Sequence, residues 1–178
     1  MKMKKGYRAA LAAFLSLVAG QALAASTMTL PGATTAYTAG QLISNNPVVP
    51  PSFAVTNQLS NGSGLARVRL SVNDATSTAW GAQQIQVDLW TSSPTFSTGD
   101  RTTWTLLTGS AAHLGSLSCT MSAENGDGAY AECSPNVGNS IWPKLQSGAL
   151  IYWTLQATTG SGVTGANKIF TLTPELVN

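Results

Sequence analysis

Two runs in this chain alternate apolar and polar residues with a period of two, and that pattern makes each a half-buried β-strand. In Arg67-Val68-Arg69-Leu70-Ser71-Val72 the even positions are apolar, and in Gln84-Ile85-Gln86-Val87-Asp88-Leu89-Trp90 the odd positions are. Strands of this kind belong to antiparallel sheets with one dry face and one wet face. The dry faces carry Val68, Leu70, Val72, Ile85, Val87 and Leu89. The wet faces carry Arg67 and Arg69 on one strand, Gln86 and Asp88 on the other. If the two strands pair, an Arg–Asp contact across them adds ~0.5 kcal/mol of register support. Asp88 is read as that support rather than as a catalytic carboxylate.

Further strands are expected over residues 53–57, 114–122, 129–133, 150–157 and 168–173. They are separated by Gly-, Asn- and Pro-containing turns such as Asn61-Gly62-Ser63-Gly64, Asn125-Gly126-Asp127-Gly128 and Thr159-Gly160-Ser161-Gly162. Residues 45–51, with three prolines, read as an extended loop or edge segment. Helical hints are confined to residues 99–104 and 142–146. Many short strands with Gly-rich turns point to an all-β fold, an antiparallel β-sandwich or jelly roll. Ile151, Trp153 and Leu155 join its expected core.

Cys119 and Cys133 lie seven residues on either side of Gly126. In a hairpin turning at Gly126 they stand directly opposite each other, where a non-hydrogen-bonded pair brings Cβ atoms close enough to bridge. No His or further Cys lies near enough in sequence to complete a metal site. The pair therefore reads as one disulfide, worth about 3 kcal/mol in the chain-entropy model.

Residues 1–24 have the form of a secretory signal. Lys2, Lys4, Lys5 and Arg8 precede an apolar run over residues 9–19, and Ala22-Leu23-Ala24 offers a small-x-small cleavage pattern. This hydrophobic N-terminal helix, cleavable or arm-like, is too short and Ala-rich for a permanent anchor. Residues 25–178 then form a single domain with no stable membrane anchor after cleavage. That domain keeps five basic residues against seven acids, a net charge of −2. Phosphate neutralisation needs clustered Lys or Arg, so nucleic acid is excluded as a partner.

Little in the sequence points to catalysis. His113 is the one histidine, and neither Ser110 nor Ser116 sits in a Gly-x-Ser-x-Gly elbow. His113 reads as a solvated loop residue. The acids stand singly apart from Glu124 and Asp127, and Asn125-Gly126-Asp127-Gly128 lacks the Asp density of a calcium loop. No catalytic, cofactor or metal residue is assigned. Trp80, Trp104 and Trp142 fall at loop–strand junctions and are the candidate ligand or interface aromatics. Core plugs are the favoured use for them, and a sugar-binding platform the other.

Residues 67–81, running Arg-Val-Arg-Leu-Ser-Val-Asn-Asp-Ala-Thr-Ser-Thr-Ala-Trp-Gly, and their continuation over residues 85–101 resemble a family of small tailed-phage and prophage proteins. The opening over residues 35–43 and the ending over residues 151–155 and 170–176 are similar to the same group. The resemblance covers nearly all of residues 35–178. It implies a non-enzymatic virion component of head-decoration or tail-accessory type, with no catalytic residues to carry over. The expected partners are then a capsid or tail protein lattice, or further copies of the chain. The signal-like segment departs from that family and implies export to the periplasm, cell surface or exterior. An exported binding module, lectin-like or fimbrial in type and facing a host-surface glycan, is the alternative expectation.

Overall fold

The computed structural model describes residues 24–32, 36–45, 48–55, 63–73, 80–97, 99–108, 110–124, 128–135, 144–145, 148–159 and 168–177. Thirteen strands appear among these residues: β1 (Ser26–Thr29), β2 (Leu42–Ile43), β3 (Ser52–Ala54), β4 (Ser63–Asn73), β5 (Gln84–Trp90), β6 (Thr95–Phe96), β7 (Leu106–Thr108), β8 (His113–Thr120), β9 (Ser122–Glu124), β10 (Gly128–Pro135), β11 (Lys144–Leu145), β12 (Leu150–Ala157) and β13 (Ile169–Val177). All their pairings are antiparallel, and a short 3-10 turn at Ser110–Ala112 is the one helical element among the described residues. No described helix is long and apolar enough to cross a membrane.

Hydrogen bonding runs along one path, β1-β13-β4-β10-β8-β5-β12-β2, with β11 beside β4, β3 beside β12 and β9 beside β10. The path folds back on itself. The Trp153 indole on β12 donates to Ser26 Oγ on β1 at 2.9 Å, linking strands near opposite ends of the path. One buried cluster results, and the alternation supplies it. Val68, Leu70 and Val72 face inward from β4, opposite Leu172 and Phe170 of β13. From the other half, Ile85, Val87 and Leu89 of β5 meet Ile151, Trp153 and Leu155 of β12 and Leu117 of β8. Each such side chain taken fully from water contributes roughly 1.5–3 kcal/mol.

The cysteine register holds. Gly128 pairs with Glu124, Tyr130 with Ser122 and Ser134 with Ser118, so Cys133 falls opposite Cys119. The two are bonded, with Cα atoms 4.4 Å apart, the spacing of a non-hydrogen-bonded antiparallel pair. Gly126 itself lies outside the described residues.

Three expectations are corrected. The β4 and β5 strands are not neighbours: β4 lies between β13 and β10, while β5 lies between β8 and β12. The Arg–Asp contact therefore does not form, and Arg69 instead lies opposite Glu132 with its guanidinium 4.7 Å from the Tyr130 ring centre. Residues 99–104 form a turn and an extended segment, not a helix. Their backbone pairs with residues 40–42 through Leu42 N–H to Thr102 O and Trp104 N–H to Gly40 O, both 2.9 Å. Of the hint at 142–146, Lys144–Leu145 is strand and the rest lies outside the described residues.

The turn at 99–104 is clasped by Asp100. Its Oδ1 accepts from the Tyr37 hydroxyl at 2.8 Å and the Ser44 backbone N–H at 3.0 Å, and its Oδ2 pairs with Arg101 at 2.6 Å. Arg101 has φ +62° and lies over the Tyr37 ring at 4.6 Å. A side-chain-bearing residue in that region costs about 1 kcal/mol or more, offset here by the clasp. Burial, reinforced by the Asp100 carboxylate, pushes the Tyr37 phenol well above its ordinary value. The unfolded chain thus loses this proton first as pH rises, and folded stability falls above about pH 10. In denaturant titrations between neutral and strongly alkaline pH, Tyr37→Phe will show a shallower decline than the parent. Equal slopes would remove Tyr37 from the account.

Candidate functional site

Side chains of opposite parity on β5, Gln86, Asp88 and Trp90, point away from the core cluster onto the outer face of the sheet. That face is not wet, because the excursion between β5 and β8 roofs it. Its β6–β7 hairpin pairs Thr95 with Thr108 and Phe96 with Leu106. Asp88 is consequently 1% exposed, as is Trp90. Period-two patterning assigned Asp88 to solvent, and the roof overturns that assignment.

A one-residue bulge then changes the place of His113. Leu89 pairs with Gly115 but Trp90 pairs with His113, leaving Leu114 as the extra residue. Ser116 faces Asp88 directly across the strands. Without the bulge His113 would have opposite parity to Ser116 and point into the core; with it, both share the outer face. His113 is therefore a strand residue rather than a loop residue.

Asp88, His113 and Ser116 thus converge. The Ser116 hydroxyl donates to Asp88 Oδ1 at 2.5 Å, His113 Nε2 lies 3.1 Å from the same oxygen, and Gln86 Nε2 donates to both carboxylate oxygens at 3.0 and 3.1 Å. Ser116 Oγ and His113 Nε2 are 3.4 Å apart. The residue types are those of a hydrolase triad, but the order is wrong. A triad places imidazole between serine and carboxylate, using one ring nitrogen for each. Here both partners face Nε2, and the serine gives its proton straight to Asp88, so this arrangement yields no activated nucleophile. What it provides is a satisfied buried carboxylate tying β5 to β8.

An aromatic stack covers the network. The Trp90 indole donates to Thr154 Oγ1 of β12 at 3.0 Å. The His113 ring lies 4.6 Å from the Trp90 ring, Trp104 stacks on Trp90 at 6.2 Å, and Phe96 meets Trp104 edge-on at 5.5 Å. Trp104 and Phe96 remain partly exposed, and Leu107 of the hairpin is 62% exposed. The Trp104 indole N–H is buried and meets no acceptor among the described residues. Such an orphan costs about 1–3 kcal/mol, and the Trp80 indole N–H in the core carries the same kind of cost.

Of the candidate aromatics, Trp104 belongs to this stack. Trp80 is 1% exposed and packs between Tyr37 and Phe170, which makes it a core plug and not a ligand platform. Trp142 lies outside the described residues. Among the described residues no group of three or more His, Cys, Asp and Glu comes together as a metal site. The Asp88–His113–Ser116 grouping had one signal in the sequence, a lone His three residues before a Ser. The bulge that makes it meaningful has none. Compared with known protein families, curated proteins and solved structures, the chain matches none.

Proposed function

We propose that this is a non-enzymatic structural protein of phage type, an antiparallel β-sandwich carried on an exterior surface as a capsid decoration or tail accessory. It acts by attachment in many copies to a protein lattice. The observation that carries the reading is how the scaffold uses its reactive groups. Asp88, His113 and Ser116 are bound to one another in a geometry that holds strands together and activates nothing. The disulfide suits an oxidising exterior. The virion assignment draws on the sequence resemblance over residues 35–178. Many weak contacts suffice on a repeating lattice, because linked binding events multiply affinity.

The partly exposed Trp104 and Phe96, beside exposed Leu107, favour a second reading, an exported module that binds a glycan. Sedimentation separates the two. The lattice reading expects the protein to return to particles stripped of it and to be recovered from intact particles by mass spectrometry. A strict monomer that ignores particles but is retained on a glycan array would replace the first reading with the second.

A further inference from the structure

The hydrogen-bonded path finishes differently at its two ends. At the β2 end the backbone is covered. Leu42 N–H donates to Thr102 O and Leu42 O accepts from Arg101 N–H, both at 2.9 Å, and Gly40 O accepts from Trp104 N–H. At the β1 end no strand takes that place among the described residues. There β1 pairs with β13 alone, in an unbroken register from Ser26–Leu172 to Thr29–Ile169.

That register fixes which backbone groups point outward. Leu30 N–H donates to Lys168 O at 2.8 Å, so the backbone at position 30 faces β13. Hydrogen-bonded and non-hydrogen-bonded pairs alternate along an antiparallel ladder. Ser26 and Met28 therefore turn their N–H and C=O groups to β13, while Thr27 and Thr29 turn theirs away from it. Both threonine side chains are exposed, between the buried Ser26 and Met28. Natural edges are blunted by Lys, Pro or a bulge. This one has none of these from Ser26 to Thr29, and Pro31 comes after the strand has ended. Apolar surface flanks it as well. Ile169, opposite Thr29, is 38% exposed, and Val49 is 58% exposed between Val48 and Pro50, which line one small cavity with Met28.

We infer that the β1 edge pairs with the same edge of a second copy of this chain, joining two sheets across a two-fold axis at Met28. The antiparallel edge is self-complementary, as an isologous contact requires. With Met28 opposite its counterpart, Thr27 of each copy meets Thr29 of the other, and each such pair exchanges both of its backbone hydrogen bonds. The side chains favour a second copy as the occupant. That register sets Thr against Thr on the outer face, a stabilising cross-strand pair, and the strand has no charge to oppose itself across the axis. A two-fold contact closes on itself, so it yields dimers rather than fibres. The pairing stands on backbone geometry and is independent of the proposed attachment to a lattice.

Sedimentation velocity over a concentration series reaching the millimolar range tests the pairing with no particles present. The parent should pass from monomer to dimer as concentration rises. Thr27→Pro and Thr29→Pro each remove an outward N–H and leave the bonds to β13 in place. By symmetry each substitution costs the dimer two hydrogen bonds, so its dissociation constant should rise about tenfold or more. Hydrogen exchange reads the same site: the Thr27 and Thr29 amides of the parent should slow with concentration while those of β4 stay unchanged. Should neither proline variant fold, that concentration dependence decides alone. A parent that stays monomeric overturns the pairing, as does a dimer that both variants leave intact. Equal protection of the two amides at every concentration overturns it too, because a segment of the same chain would then occupy the edge.

Discussion

Trp153→Ala will lower folding stability by about 3–5 kcal/mol, the usual loss when a buried aromatic is removed from a core that cannot collapse around the gap. Trp153 has no exposed surface, lies opposite Leu89 of β5, and reaches Ser26 with its indole N–H. The substitution therefore removes core volume and also cuts a hydrogen bond that joins strands near opposite ends of the sheet path. Urea unfolding measures the loss. Arg69→Ala provides the contrast, since its side chain lies on the exposed outer face over Tyr130 and should cost under about 1 kcal/mol. Similar small losses from both would mean that the faces of the sheet are wrongly assigned.

Replacing both Cys119 and Cys133 with Ala will cost about 3 kcal/mol, the chain-entropy value for a loop closed over a separation of 14 residues. The bridge spans the adjoining parts of β8 and β10, where, among the described residues, the hydrogen-bonded path crosses from one half of the sheet to the other through the pairs Ser134–Ser118 and Pro135–Leu117. Its loss should thus loosen the junction between the halves more than either half alone. A reducing agent should shift the unfolding midpoint of the parent and leave that of the double variant unchanged. A parent insensitive to reduction under denaturing conditions would count against the bridge.

Local pattern carried much of the fold. The strands at Gln84–Trp90 and Leu150–Ala157 have the bounds that alternation assigned, and Val68, Leu70, Val72, Ile85, Val87, Leu89, Ile151, Trp153 and Leu155 are all buried. Short strands such as Ser26–Thr29, Leu42–Ile43 and Leu106–Thr108 escaped notice because two to four residues are too few to display a period. Which strands lie side by side was not legible either, so the condition for an Arg–Asp contact, pairing of β4 with β5, could be stated but not decided.

By itself the sequence determined the properties set within a few residues: the antiparallel β class, the inward parity of each long strand, and the pairing of two cysteines equidistant from one turn. These follow from the pleat, which sends alternate side chains to opposite faces whatever the strand meets. The tertiary structure alone decided which outward faces are dry. Asp88 is buried on a face where Trp104 and Phe96, from the excursion after β5, stack over its neighbour Trp90, and His113 reaches it because a single bulge at Leu114 reverses its parity. Both effects depend on contacts between segments distant in sequence and on one unpaired residue, and no periodicity encodes either.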